Sequence, residues 1–326
     1  MVSSANNPYS LPRDLPNHRD HWAVILAGGD GTRLRPLTRR IAGDDRPKQF
    51  CPILEGKTLL EQTARRAALA ISPDRTFVVV NRAHEPFYRP LLARAPSHSF
   101  VIQPDNRGTT PAILYSLLRI AALAPSDYVA ILPSDHFVSN DRTFMDHVTA
   151  AFEAVRRRPE LVILLGITPE NAEVEYGWIQ PGGATMAPGA SVLFGVDHFW
   201  EKPTLATARK LLAGGCLWNS FVMVAHVPTL LALIGNTAPD LYDAFAAVRP
   251  ALGTAGEANE IDSLYSQLPS SNFSEQVLAR RTSNLAVLPV RGVTWSDLGE
   301  PSRVLASLAR IGRQPDWAVT QVAQSA

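Results

Sequence analysis

The sequence predicts an α/β fold built on a mixed, mostly parallel sheet flanked by helices. In the first half, apolar runs alternate with helical patterns, the signature of βαβ units. Those runs are almost continuously apolar, as strands covered on both faces are. In the second half the order changes to strands broken by glycine and proline, then a long helical stretch. A chain of 326 residues can bury a full core, as one large domain or two smaller ones.

Taken in order, the first strand is expected at 22–26 (Trp-Ala-Val-Ile-Leu) and ends in a glycine-rich turn. A helix over 58–71 follows, with Thr58 as its cap and Glu61 completing a capping box. Strands at 76–81, 99–103, 127–132 and 161–167 are separated by helices at 109–123 and 143–157. Further strands are expected at 176–181, 192–200 and 218–224, with a glycine-rich turn near 182–189. A helix over 204–213 starts after Pro203, and 228–280 reads as helical. A strand at 284–290 precedes Trp295-Ser296-Asp297-Leu298-Gly299, and a last helix is expected over 301–311. Residues 1–20, with Pro8, Pro12 and Pro16, read as a flexible arm and 312–326 as a frayed tail, leaving one domain over 21–311. There is no internal repeat, and no hexapeptide period.

Bulk properties exclude several classes. With 31 basic and 30 acidic residues the net charge is +1, which argues against a general nucleic-acid or membrane-surface binder. The two cysteines, Cys51 and Cys216, lack metal or redox spacing and are expected to be reduced and buried in a cytoplasmic protein. No signal peptide and no membrane-spanning run is recognisable.

The segment Leu26-Ala27-Gly28-Gly29-Asp30-Gly31-Thr32-Arg33-Leu34, followed by Arg46-Pro47-Lys48-Gln49-Phe50, is the most informative. Three glycines after a strand let the backbone turn tightly and offer N–H groups to an anion. With Arg33 and Lys48 close by, these parts suit a triphosphate. Two better-known phosphate loops do not fit. The dinucleotide fingerprint fails at Leu34, where its third glycine belongs, and that argues against a Rossmann oxidoreductase. The P-loop ending Gly56-Lys57-Thr58 has Cys51 at its first glycine position, and Pro52 removes an N–H.

In parallel sheets, chemistry gathers beyond the carboxyl ends of the strands. Asp135, in Pro133-Ser134-Asp135-His136, projects from such an end and suits a magnesium ion bridging phosphates. Asp297 could supply a second carboxylate. Each has a structural alternative, as a turn cap or a helix N-cap. In Trp200-Glu201-Lys202-Pro203, Lys202 could bind a phosphate and Glu201 sugar hydroxyls; the alternative is a solvated strand end. Glu175-Tyr176-Gly177-Trp178 with Trp218-Asn219-Ser220 is sugar-binding material, or ordinary core aromatics with polar edges. Gln103-Pro104-Asp105-Asn106-Arg107-Gly108-Thr109-Thr110-Pro111 could read a base edge, or simply be a connection capped by Thr109 or Thr110.

Taken together and in this order, eight motifs resemble the mannose-1-phosphate guanylyltransferases, within the sugar-phosphate nucleotidyltransferases. They are Leu-Ala-Gly-Gly-Asp-Gly-Thr-Arg-Leu, Arg-Pro-Lys-Gln-Phe, Asn-Arg-Gly-Thr-Thr-Pro-Ala, Pro-Ser-Asp-His, Glu-Tyr-Gly-Trp-Ile, Glu-Lys-Pro, Leu-Trp-Asn-Ser and Trp-Ser-Asp-Leu-Gly. The resemblance runs from about Trp22 to about Leu308. It implies a Rossmann-like sheet of the nucleotide-diphospho-sugar transferase type, with a nucleotide-binding part over about 21–168. A sugar-binding insertion and a helical C-terminal part would fill about 169–311. It implies GTP and mannose 1-phosphate as substrates, GDP-mannose as product and Mg2+ as cofactor. Nucleotide contacts would come from Leu26, Ala27, Gly28, Gly29, Asp30, Gly31, Thr32, Arg33, Lys48, Gln103, Asn106, Gly108, Thr109, Ser134 and Asp135. Sugar-phosphate contacts would come from Tyr176, Gly177, Glu201, Lys202 and Asn219. Arg33, Lys48, Asp135 and Asp297 would be catalytic, the two aspartates holding the metal.

The chain departs from the family pattern at Ser134, at Trp200, and at Asn272-Phe273-Ser274-Glu275, where Ile-Asp-Tyr is usual. It ends soon after the catalytic core, so isomerase activity is not expected. The alternatives are another hexose or triphosphate, or an inactive nucleotide-sugar sensor. The 228–280 region could form a homodimer contact or only cover a core.

Overall fold

In the computed structural model, which describes residues 19–54, 56–92, 99–186 and 192–319, the first apolar run forms strand β1 (His21–Leu26). After it come α1 (Arg35–Ala42), α2 (Leu59–Ala67), β2 (Thr76–Asn81), α3 (Glu85–Leu92) and β3 (Phe100–Gln103). Then follow α4 (Thr109–Leu123), β4 (Tyr128–Pro133), β5 (Phe137–Val138), α5 (Asp141–Arg157) and β6 (Val162–Ile167). The second half contains β7 (Gly177–Met186), β8 (Val192–Glu201), α6 (Leu205–Ala213) and β9 (Leu217–His226). The helical region resolves into α7 (Val227–Thr237), α8 (Pro239–Val248), α9 (Glu257–Gln267) and a π-turn over Ser274–Leu278. The chain closes with β10 (Leu285–Val290), β11 (Trp295–Ser296), α10 (Pro301–Arg310) and α11 (Asp316–Val319).

The main sheet has the order β3-β2-β1-β4-β9-β6-β10-β8-β7, and β7 pairs back onto β9. Strands β9, β6, β10, β8 and β7 therefore close a five-stranded mixed barrel beside a parallel half. The expected mostly parallel sheet is corrected here. Parallel pairing among the described residues is confined to β1–β2, β1–β4, β2–β3 and β6–β10. The physical reason is that β9 returns antiparallel between β4 and β6, and the β7–β8 hairpin adds antiparallel neighbours.

Side chains alternate across the sheet as a pleat requires. Trp22 and Val24 enter a core under α4, α7 and α8, with Ile113, Leu117, Leu230 and Phe245. Ala23 and Ile25 enter a second core with Leu60, Phe144 and Phe152 from α2 and α5. A smaller cluster, with Leu34, Leu37, Leu298, Val304 and Leu308, ties α1 to α10, and Trp317 of α11 packs against it.

Several local expectations change. Gly182 and Gly183 lie inside β7 rather than in a turn, and 187–191 fall outside the described residues. Helix α4 begins after Gly108 with no side-chain cap, neither Thr109 nor Thr110 taking that role. Of the expected 1–20 arm only Arg19 and Asp20 are among the described residues. Cys51 and Cys216 are both free and buried, and burial pushes the Cys51 thiol up to about 12. No described helix is long and apolar enough to cross a membrane.

Candidate active site

The glycine-rich turn leaves β1 at its carboxyl end. A Cβ on Gly28 would come within 2.8 Å of the Gln103 side-chain nitrogen, so the turn after β1 runs close against the side chain that ends β3. Gly31 lies at φ +57°, the left-handed region that glycine enters freely. The Gln49 amide, 2% exposed, donates to the carbonyls of Ala27 (2.9 Å) and Gly29 (2.7 Å). Those two carbonyls are thereby satisfied within the turn, which braces its backbone. The Asp30 carboxylate accepts from Asn106 Nδ2 at 2.8 Å and lies 3.3 Å from His84 Nε2, which closes the loop onto the 103–111 segment.

Lys48 joins the two segments that carry Asp135 and Asp297, one through its carboxylate and the other through its backbone. Strands β5 and β11 pair antiparallel, Val138 with Trp295 and Phe137 with Ser296. This short pairing brings the segments carrying Asp135 and Asp297 side by side. Lys48, 9% exposed, places Nζ 3.2 Å from Asp135 Oδ2, 2.5 Å from the Asp297 carbonyl and 3.3 Å from that of Leu298. Asp297 Oδ1 accepts from the Tyr176 hydroxyl (3.0 Å), Arg303 Nη1 (2.8 Å) and the Gly299 N–H (2.8 Å). Burial alone would raise the Asp297 pKa, but Lys48 and Arg303 outweigh it and hold the carboxyl below its usual range. Burial depresses His136, beside Asp135 and edge-on to Trp295, to about 4, so the ring is neutral at pH 7.

Among the described residues no three histidine, cysteine or acidic side chains gather as a metal cage; what Asp135 and Asp297 offer is a donor set of carboxylate oxygen alone. Magnesium takes such a set when waters and substrate phosphates fill the rest of its shell. The residues present fit that ion.

A cleft of about 380 Å³ opens beside this cluster. Leu26, Gly28, Gly29, Gln103, Asn106, Gly108, Thr109 and Asp135, all expected nucleotide contacts, line it together with Val79, Ala112, Pro133, His136 and Phe221. Ala27, Asp30, Gly31, Thr32, Arg33, Lys48 and Ser134 do not line it. Ser134 is buried, its N–H donating to Leu26 O, and Arg33 points outward to Glu175 at 2.9 Å. The 103–111 loop is fastened by the segment that departs from the family pattern. The Ser271 carbonyl accepts from Thr110 N–H, the Ser271 N–H donates to Arg107 O, and Thr109 Oγ1 accepts from Phe273 N–H. A Cβ on Gly108, at φ +85°, would lie 2.3 Å from Ser271 O.

The expected hexose residues divide. Gly177, Glu201 and Asn219 meet: a Cβ on Gly177 would lie 2.9 Å from Glu201 Oε2 and 3.2 Å from Asn219 Cβ. Burial raises the Glu201 pKa and Glu275 adds to it, against Lys202 and a hydrogen bond with Ser274. Tyr176 instead turns its hydroxyl to Asp297, and Asn219 Oδ1 accepts the Phe221 N–H at 3.1 Å. The described non-glycine residues with positive φ are Lys202 (+46°), Phe221 (+58°) and Leu298 (+49°). All three belong to or adjoin this region, where backbone strain commonly gathers.

Sequence reasoning missed Gln49 as a brace, Arg303 as the partner of Asp297, Ser271 as the loop's clasp and Phe221 as a cleft wall. Gln49 was visible beside Lys48 in its motif. Arg303 stands six positions after Asp297, a spacing that a turn and the first turn of a helix bring together. Ser271 and Phe221 carried no local signal.

A family model described as nucleotidyl transferase matches residues 22–312. The chain is 30% identical over 306 residues to the mannose-1-phosphate guanylyltransferase of Sinorhizobium fredii (strain NBRC 101917 / NGR234), covering 91% of this chain and 55% of that protein. It is 30% identical over 291 residues to the xanthan biosynthesis protein XanB of Xanthomonas campestris pv. campestris (strain B100), covering 88% and 59%. It thus spans somewhat over half the length of these relatives. A crystal structure described as mannose-1-phosphate geranyltransferase from Thermus thermophilus matches with a TM-score of 0.75 at 30% identity, over 88% of this chain and 79% of that one. With the glycine-rich turn, the paired carboxylates and a family match over almost the whole described chain, this protein belongs to the nucleotidyl transferase family.

Proposed function

We propose that the chain transfers a guanylyl group from GTP to mannose 1-phosphate, giving GDP-mannose and pyrophosphate. The observation that carries the reading is the meeting of Lys48 and the Asp297 segment with Asp135, which itself lines the cleft beside the glycine-rich turn. The printed name of the Sinorhizobium relative supports the substrate pair.

In this reaction a phosphate oxygen of the sugar phosphate attacks the α-phosphorus in line. An α-phosphorus–oxygen bond forms, the bond to the bridging oxygen breaks, and its electron pair leaves with pyrophosphate. Catalysis is then positioning and charge stabilisation. The Gly28–Gly31 backbone offers N–H groups to the phosphates. Lys48, held between two loops, stabilises charge growing on the transferred group, and Arg33, paired with Glu175 in this structure, is the second cation assigned to the phosphates. Asp135 and Asp297 would hold magnesium, and the ion would supply charge to offset that of the phosphates. Lys202 binds the sugar phosphate, while Glu201, Asn219 and the Gly177 backbone take hexose hydroxyls.

The test is pyrophosphate release from purified protein with magnesium and mannose 1-phosphate, each triphosphate tried separately. Release with GTP alone supports the full reading. Release with another triphosphate keeps the mechanism and moves the base. If mannose 1-phosphate gives none, other sugar phosphates follow, and silence across them sinks the enzymatic reading.

A further inference from the structure

Phe221 occupies a backbone position made for glycine, at φ +58°. It lies at a bulge in β9. Asn219 pairs with Gly166 and Met223 with Leu164, so residues 220–222 face the single residue Leu165. Side chains stitch the bulge in place. The Ser220 hydroxyl donates to Leu165 O at 2.6 Å and accepts from Val222 N–H at 3.1 Å, while Asn219 Oδ1 accepts from Phe221 N–H at 3.1 Å. A bulge of this kind re-aims a side chain. Here the half-buried ring reaches the cleft that Gly108, Thr109, Ala112 and Pro133 also line. The ring packs edge to face on Phe273, centroids 6.2 Å apart, and Phe273 in turn donates its N–H to Thr109 Oγ1 at 2.9 Å. The ring is thus braced against the loop expected to read the base. Glycine would meet the backbone requirement without strain, so what the position gains from phenylalanine is packing on the core and on Phe273 and an apolar face in the cleft.

We propose that Phe221 is a specificity-determining residue whose ring forms the wall against which the nucleoside of the bound triphosphate packs. This rests on the nucleotidyl-transfer reading above. The wall acts on the nucleotide rather than the hexose, because the residues around it in the cleft are those of the nucleotide loop, while Gly177 and Glu201 lie outside that lining.

The full chain is compared with Phe221→Gly, which suits the backbone, and Phe221→Asn, which also tolerates it. Phe221→Tyr restores the ring. Initial rates give KM for each substrate, and calorimetric titration gives Kd for the triphosphate. Loss of the ring is expected to raise KM and Kd for the triphosphate about tenfold, the scale of base–aromatic packing. KM for the sugar phosphate should move less than about twofold, Tm should hold or rise in Phe221→Gly, and Phe221→Tyr should recover the native affinity. An unchanged triphosphate affinity in Phe221→Gly overturns the proposal. So does an equal weakening of both substrates with a fallen Tm, which marks a packing role alone. If the native protein neither turns over nor binds any triphosphate, the underlying reading fails first and takes the wall with it. If it binds without turnover, the Kd comparison still decides the role of Phe221.

Discussion

The Lys48 ammonium reaches the Asp135 carboxylate and two carbonyls of the Asp297 loop, so one side chain holds both halves of the proposed metal site in register. In the proposed reaction, replacing it would remove a charge from the transition state and loosen that register. Lys48→Ala and Asp135→Asn are each expected to lower kcat by about 10²–10³, the usual loss of one preorganised stabiliser. Circular dichroism checks that the fold survives, and near-native turnover by either variant would rule out its role. Glu201 gives a prediction of opposite kind. Its pKa is raised, first by burial and then by Glu275, so the folded state resists its ionisation. Below the ordinary carboxylate range both states are protonated and nothing is lost. As pH rises through the unfolded and then the folded pKa, the buried charge costs stability, and that cost persists at pH 7. Glu201→Gln should therefore melt higher than the native protein at pH 7, and the two melting curves should converge near about pH 4. The same variant should bind the sugar phosphate more weakly, so a Tm gain with unchanged KM would detach Glu201 from the hexose.

At the scale of elements, the best-read features are those with a local physical cause. The box of Thr58 and Glu61 is present in both directions, Thr58 Oγ1 accepting from Glu61 N–H at 3.1 Å and Glu61 Oε2 accepting from Thr58 N–H at 2.9 Å. Thr58→Ala should cost about 1 kcal/mol in urea unfolding, and a loss near zero would mean that packing of α2 on the core, with Leu59 and Leu60 buried, carries the helix instead. The strands at 76–81 and the helix at 109–123 were legible because apolar runs and helical periods are written in short windows. Pairing direction is not. A strand buried on both faces looks the same whether its neighbour is parallel or antiparallel, so β9 gave no sign that it would return between β4 and β6. Gly182 misled for a related reason: it reads as a turn residue, yet it lies inside β7, where the register against β8 shifts between Pro181 and Ala184. Helix α3 escaped notice because Pro86 and Pro90 interrupt its pattern, although a proline in the first turn is tolerated.

Over the whole molecule, the site joins parts far apart in sequence, Lys48 and Asp297 being separated by 249 positions. The motifs carrying the two aspartates were legible, and both were expected at one metal, but the pairing that joins their segments was not, because two-residue strands have no periodicity to read. The β5–β11 pairing is continued by Ser139 N–H to Thr294 O at 3.0 Å and by Thr294 N–H to Ser139 Oγ at 2.8 Å. Its pairing is separate from that of the main sheet, so its hydrogen bonds can be weakened without breaking one in the barrel or the parallel half. Thr294→Pro deletes one of these donors and stiffens the chain just before β11. If this small sheet is what fixes the spacing of Asp135 and Asp297, the magnesium concentration for half-maximal activity should rise about 10–100-fold, as when groups supporting a metal's ligands are lost. Nucleotide affinity measured without magnesium should stay near native, because the glycine-rich turn and the 103–111 loop are fastened elsewhere, by Gln49 and by Ser271. Ser139→Ala, which removes only the side-chain acceptor, should give a smaller shift in the same direction. An unchanged magnesium requirement in a folded Thr294→Pro protein would mean that Lys48, with its contacts to both aspartate segments, suffices to hold them together.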